Sequence, residues 1–317
     1  MSKPVIVVHG GAGAIGKEYC TAEIERSVRK ALRSSLDNAW NVLMDQGSAV
    51  DAVKAAIIVL EDDPNFNAGK GSVFSRTEVI EMDAGIADGS SGAVGACSIV
   101  KTVKNPILLA DAVMAKTSHV LLAGSGAEQF ARECGLEEAE ASYFKTEFRY
   151  NQLKRWLAEN LSKPQLDHDT LSMNIAPNVP STGTVGAVAV DQFGNLASGS
   201  STGGLTGRMP GRVSDSSVMG AGFWADRNCA ISMTGHGDAF LRKSISAVIA
   251  NSLSSSPEKA FHDVVNDAIF RELSNSPAGL IAVNAEGEYA MPYNTPGMYR
   301  GYRTAGDDES KVFIWEY

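Results

Sequence analysis

The sequence predicts a single α+β domain, and three observations lead there. Apolar residues fill 44% of the 317 positions, enough for one sizeable core. Short β-branched runs come in groups, helical patterns come in pairs, and strands return toward the end. That order suggests layered sheets and helices rather than βαβ alternation. The polar stretch from about 137 to 183 divides the chain into flanks that each lack the elements to close a core alone. Residues 1–317 are therefore read as one shared domain.

The elements follow in order. Val5–Val8 reads as a buried strand ending in His9-Gly10-Gly11-Ala12-Gly13. Ile24, Val28, Leu32, Leu36, Trp40 and Leu43 recur at helical spacing and predict a helix over about 22–44, ended by Gly47. Ser48 and Asp51 form a Ser-x-x-Asp cap for a second helix reaching Leu60. Short strands and turns fill about 70–103, and 106–116 and 127–134 look helical. The second half of the polar stretch, about 160–183, reads as a flexible linker. Strands follow at about 184–191, 195–201 and 228–233, helices at 237–251 and 257–273, and strands near 278–284, 287–291 and 311–317.

Composition excludes several function classes. A formal net charge of −9 disfavours nucleic acid and anionic membranes, which need a basic footprint. No apolar run approaches the roughly 18 residues of a membrane span. The start, Met1-Ser2-Lys3-Pro4, runs straight into Val5–Val8 with no signal-type apolar core, which predicts a cytoplasmic protein. Cys20, Cys97, Cys134 and Cys229 lack metal-ligand spacing and read as free thiols of a reducing compartment.

Three familiar patterns fail on context. Gly11-Ala12-Gly13-Ala14-Ile15-Gly16 fits a dinucleotide fingerprint, but no helix opens inside it and no carboxylate ends a second strand where the ribose would need one. Read as a phosphate loop, it carries Glu18 where a hydroxyl must reach magnesium. Gly199-Ser200-Ser201-Thr202-Gly203 fits a serine-esterase elbow, yet glycines and Pro210 follow instead of a helix.

Four other clusters fit together. Thr184 opens the strand Val185-Gly186-Ala187-Val188-Ala189-Val190. Cutting the Gly183–Thr184 bond would give Thr184 an α-amine of pKa roughly 7.7–8.0, a base beside its own hydroxyl. A hairpin through Phe193-Gly194-Asn195 can bring Thr202 to Thr184. Arg212 and Asp215 offer a guanidinium for an α-carboxylate and a carboxylate for an α-ammonium. Thr234-Gly235-His236-Gly237 leaves a strand through glycines into a helix, where a hydroxyl and free N–H groups can stabilise an oxyanion.

These segments, with Leu60–Gly69, Met82-Asp83-Ala84 and Pro292–Met298, resemble the plant-type asparaginase / isoaspartyl peptidase family of N-terminal-nucleophile hydrolases along almost the whole chain. The resemblance implies a four-layer αββα sandwich and a precursor that cuts itself into an α chain, 1–183, and a β chain, 184–317. It implies Thr184 as nucleophile, Thr202 supporting its hydroxyl, and Thr234 with Gly235 as oxyanion hole. Arg212 and Asp215 would grip the substrate beside Gly235 and Gly237, and Asn67 would assist cleavage. Main-chain carbonyls of Leu60, Glu61, Asp63, Phe66, Ala68 and Lys70 would hold sodium or potassium, with no organic cofactor. The substrates implied are L-asparagine and β-aspartyl dipeptides, and the assembly a dimer of αβ units. The family usually has Gly where Ser214 stands; a positive φ there would strain serine. Rival readings are a glycosylasparaginase, an aspartate-specific threonine endopeptidase, or an amino-acid-binding protein that never matures.

Overall fold

The computed structural model describes residues 3–160, 183–256 and 258–316. Two sheets and their flanking helices make a mixed α/β fold. The larger sheet has eight strands: β1 (Val5–Gly13), β2 (Met82–Asp88), β3 (Val94–Val100), β4 (Leu121–Ala123), β5 (Val185–Val190), β6 (Leu196–Thr202), β11 (Gly297–Thr304) and β12 (Lys311–Phe313), in the order β12-β11-β1-β5-β6-β2-β3-β4. The smaller has β7 (Phe223–Ala225), β8 (Cys229–Gly235), β9 (Ala278–Asn284) and β10 (Tyr289–Ala290), in the order β10-β9-β8-β7.

Alternation along β1 explains the packing, because successive side chains point to opposite faces and here both faces are buried. Ile6 and Val8 join a core with Leu32 and Leu36 of α1 (Ala22–Met44), Val53 and Ile57 of α2 (Ala49–Glu61), and Ile107 of α3 (Pro106–Lys116). Val5 and Val7 instead meet Val188, Phe223, Ile281 and Val283, where strands of the two sheets share a core. On its other side the small sheet packs Ile231 and Leu280 against Phe240, Ile249 and Val265 of the C-terminal helices.

The helix boundaries of α1 and α2 fall where capping chemistry puts them. Thr21 accepts the Ile24 N–H, and Ser48 accepts the Asp51 N–H at 3.1 Å. Four features depart from the sequence reading. β1 runs on through the glycines to Gly13, pairing with Gly297–Tyr299 across a bulge, so these glycines are sheet and not a phosphate loop. A helix, Glu147–Asn160, fills part of the polar stretch; it docks through Leu153 and through a buried Arg149, whose Nε donates to the Gly71 carbonyl at 2.7 Å. The helix expected over 237–251 breaks at Ser244, in a left-handed conformation (φ 48°), into Gly237–Lys243 and Ile245–Ser255. β11 carries Arg300 and Arg303, which hide its strand pattern. The linker expected at about 160–183 lies, apart from its two end residues, outside the described residues.

Candidate active site

Thr184 stands immediately before β5, buried at 6% exposure. β5 pairs antiparallel with β6, and Thr184 and Thr202 each stand one residue beyond the Val185–Ser201 pair that ends this ladder. The Thr184 hydroxyl meets the hydroxyl of buried Ser216 at 3.2 Å. Its carbonyl accepts a hydrogen bond from His9 Nδ1 at 2.9 Å. Burial depresses the His9 pKa to about 3, against the effect of that bond, so the ring is neutral. A carbonyl can only accept, so the proton sits on Nδ1 and Nε2 accepts from the Ser232 hydroxyl at 2.9 Å.

The junction before Thr184 is tightly enclosed. A Cβ on Gly183 would come within 2.5 Å of Thr234 Oγ1 and 3.4 Å of the Gly235 nitrogen. A Cβ on Gly11, whose φ is +114°, would come within 2.6 Å of the Gly183 nitrogen. Thr234 Oγ1 accepts the Ala12 N–H at 3.1 Å, which leaves its own proton to donate elsewhere. Hydroxyl and N–H thus converge beside the Gly183–Thr184 peptide.

Thr202 Oγ1 accepts the Gly204 N–H at 2.9 Å, shaping the turn that follows. Asn67 clamps this turn: its amide donates to the Gly204 carbonyl at 2.7 Å, its side-chain oxygen accepts Val73 N–H, and its carbonyl accepts Gly203 N–H. Asn67 therefore touches Thr202's turn.

Arg212, Asp215 and Gly237 come together. A Cβ on Gly237 would strike Asp215 Oδ1 and lie 3.3 Å from Arg212 Nη2, so only glycine leaves that space open. Asp215 is buried with Oδ2 unpaired. Desolvation raises its pKa to about 7; Arg212 opposes this, and the charges of Asp238 and Asp83 add to it. Arg212 Nη2 pairs with Asp238 at 2.7 Å. Burial works against ionisation of Asp238, but Arg212, His236 and Arg242 hold its pKa below the usual carboxylate value. Ser214 lies at φ −85°, extended backbone that serine adopts freely, so the strain expected there is absent.

Leu60 and Glu61 end α2, and the loop behind them folds its carbonyls toward its own glycines. A Cβ on Gly71 would strike the Phe66 carbonyl and lie 2.6 Å from that of Pro64, and one on Gly69 would strike that of Glu61. The carbonyls of Asp63 and Ala68 accept the N–H groups of Phe66 and Gly71. Lys70 sends its ammonium over the Tyr143 ring at 5.3 Å. Such neutral oxygen donors suit a hard, singly charged cation. No cluster of three or more His, Cys, Asp or Glu side chains fit to hold a metal occurs among the described residues.

Sequence reasoning missed His9, Ser216, Ser232 and Asp238. His9 sat in a quoted motif, and Ser216 follows Asp215 directly; nothing in the sequence marks their contacts across the chain.

Comparison with known proteins gives the same picture. The asparaginase family model matches residues 2–314. An isoaspartyl peptidase of Escherichia coli is 39% identical, covering 97% of this chain and 95% of its own. An isoaspartyl peptidase/L-asparaginase of Xenopus laevis is 39% identical over 99% and 96%. A plant-type L-asparaginase of Pyrobaculum calidifontis is 39% identical over 97% and 99%. With a family model spanning residues 2–314 and relatives 39% identical over 97% or more of its length, the chain belongs to the asparaginase family.

Proposed function

We propose that this chain is a self-cleaving threonine amidohydrolase. It hydrolyses β-aspartyl dipeptides and the side-chain amide of L-asparagine, releasing L-aspartate. The observation that carries the reading is the Gly183–Thr184 junction, enclosed against Thr234 Oγ1 and the Gly235 nitrogen. The names of the relatives support the substrate class.

In the precursor, Thr184 Oγ attacks the Gly183 carbonyl, and the resulting oxyanion is held by the Thr234 hydroxyl and Gly235 N–H. The C–N bond breaks as the amide nitrogen takes the hydroxyl proton, leaving an ester. Water hydrolyses it to the Gly183 carboxylate and the Thr184 hydroxyl, beside the α-amine that the broken C–N bond has freed. In the mature enzyme this amine takes the Oγ proton, and Oγ attacks the substrate's side-chain carbonyl. Ammonia or an amino acid leaves with that proton, and water releases aspartate. Arg212 receives the α-carboxylate and Asp215 the α-ammonium in the space above Gly237. Asp215 and Ser216 are consecutive, so one turn holds both the head group and the partner of the nucleophile.

The same reading carries a four-layer αββα sandwich, supported by three cores that successively join helices, sheet, sheet and helices. It carries a sodium or potassium ion on the carbonyls of Leu60, Glu61, Asp63, Phe66, Ala68 and Lys70, a dimer of αβ units, and a cytoplasmic location. No helix among the described residues is long and apolar enough to cross a membrane.

Thr184→Ala tests the chemistry. Intact mass after long incubation should give one uncut chain, with hydrolysis of β-aspartyl substrates down by more than about a thousandfold. Two fragments from this variant would end the proposal.

A further inference from the structure

We infer that Asp83 is a positioning residue for substrate recognition, tying the loop that carries Arg212 to the strand paired with Thr202. This rests on the reading of Arg212 and Asp215 as the head-group grip.

The loop needs such a tie. Residues 203–214 have no helix or strand of their own, and Met209–Gly211 are exposed. A long arginine on an untethered loop would hold a carboxylate poorly, because ordering it costs conformational entropy. Asp83 is fully buried on β2, directly opposite Thr202 of β6. Its Oδ2 accepts the Ser214 N–H at 3.1 Å and pairs with Arg208 Nη1 at 3.0 Å. Its Oδ1 accepts the Ile99 N–H at 2.9 Å. Two residues earlier, Glu81 accepts the Gly211 N–H at 3.0 Å. The backbone on both sides of Arg212 is thus held by two carboxylates, one on β2 and one just before it.

Arg208 makes this arrangement possible. Its side chain is wholly buried, pairing with Asp83, lying 3.7 Å from the Glu81 carboxylate and donating to the Glu81 carbonyl. Lys101 lies 3.6 Å from Glu81 on the outer side. Buried ion pairs contribute little net stability compared with apolar packing of the same volume. What this one supplies is geometry: it fixes where the guanidinium of Arg212 and the carboxylate of Asp215 stand relative to Thr202 and, one ladder step on, Thr184.

The experiment compares Asp83→Asn with Arg212→Ala, reading self-cleavage by intact mass and KM and kcat on a β-aspartyl dipeptide. Self-cleavage uses no head group, so it serves as the internal control for folding. Asp83→Asn should self-cleave at the parent rate with KM raised about tenfold and kcat changed less than about twofold. Parent KM in Asp83→Asn, while Arg212→Ala cleaves itself and loses hydrolysis, overturns this inference alone. Parent kinetics in Arg212→Ala overturn the head-group reading beneath it. Self-cleavage, kcat and KM failing together in Asp83→Asn would mean a general folding role and also overturn the inference. If Asp83→Asn is insoluble, Glu81→Ala decides: raised KM with normal self-cleavage supports the tether, and unchanged KM overturns it.

Discussion

Asp215 illustrates how burial can tune a single recognition residue. Its carboxyl faces Arg212, Gly237 and Gly222 directly, with the charges of Asp238 and Asp83 close by. Desolvation wins over Arg212 and places its pKa near 7, so the empty site carries a partly neutral acid at neutral pH. A substrate ammonium favours the ionised form. Binding of L-aspartate should therefore tighten as pH rises through about 7, by about tenfold between pH 6 and 8, with a proton released on binding near pH 7. Calorimetry in buffers of different ionisation enthalpy reads both quantities. Asp215→Asn should bind weakly and lose this dependence, although the Thr184 amine still titrates nearby. A parent slope in Asp215→Asn would assign the titration to another group. Residues such as Thr184, Arg212 and Asp215 were legible in the sequence because the chemistry restricts them to few residue types. His9, Ser216 and Asp238 were not, because their meaning lies in contacts to partners 175, 32 and 26 positions away.

At the scale of elements, legibility followed the local signal. α1 and α2 announce themselves by apolar periodicity and hydroxyl caps, and both begin where Thr21 and Ser48 put them. β11 and the helix over Glu147–Asn160 bury an arginine each, Arg300 and Arg149, beside apolar residues such as Tyr299 and Leu153, and these charges blur the apolar pattern. The strand after Thr184 shows a further constraint that a pattern cannot carry. Gly186 lies opposite His9 in the β1–β5 ladder, and a Cβ there would strike both Ser232 Oγ and His9 Nε2. The glycine leaves room for the Ser232–His9–Thr184 chain of hydrogen bonds that crosses between the sheets. Gly186→Ala should destabilise the fold by about 1–3 kcal/mol through overpacking. It should also slow self-cleavage, because the displaced imidazole releases the Thr184 carbonyl. Denaturant melts and timed intact-mass spectra measure the two effects. A destabilised variant that matures at the parent rate would remove His9 from the alignment of Thr184.

On the scale of the whole molecule, the strand order decides what a cut at Gly183 can do. The part before the cut supplies β1 to β4 of the large sheet, and the part after it supplies β5, β6, β11 and β12. In the sheet they interleave: β1 lies between β11 and β5, and β6 lies between β5 and β2. The apolar core on the helix side likewise mixes Ile6, Leu36 and Ile57 with Val185, Ala187 and Tyr299. Neither part can leave without opening three strand ladders, β11–β1, β1–β5 and β6–β2, and exposing unpaired edges to water. The flanks of the polar stretch thus contribute strands to the same sheet. Cleaved protein should therefore elute from a native sizing column as one species at every dilution and give two bands only in denaturant. Fragments separated in denaturant and refolded singly should aggregate, whereas refolding them together should recover hydrolysis. Two peaks on the native column would mean that the ladders across β11–β1, β1–β5 and β6–β2 do not survive maturation.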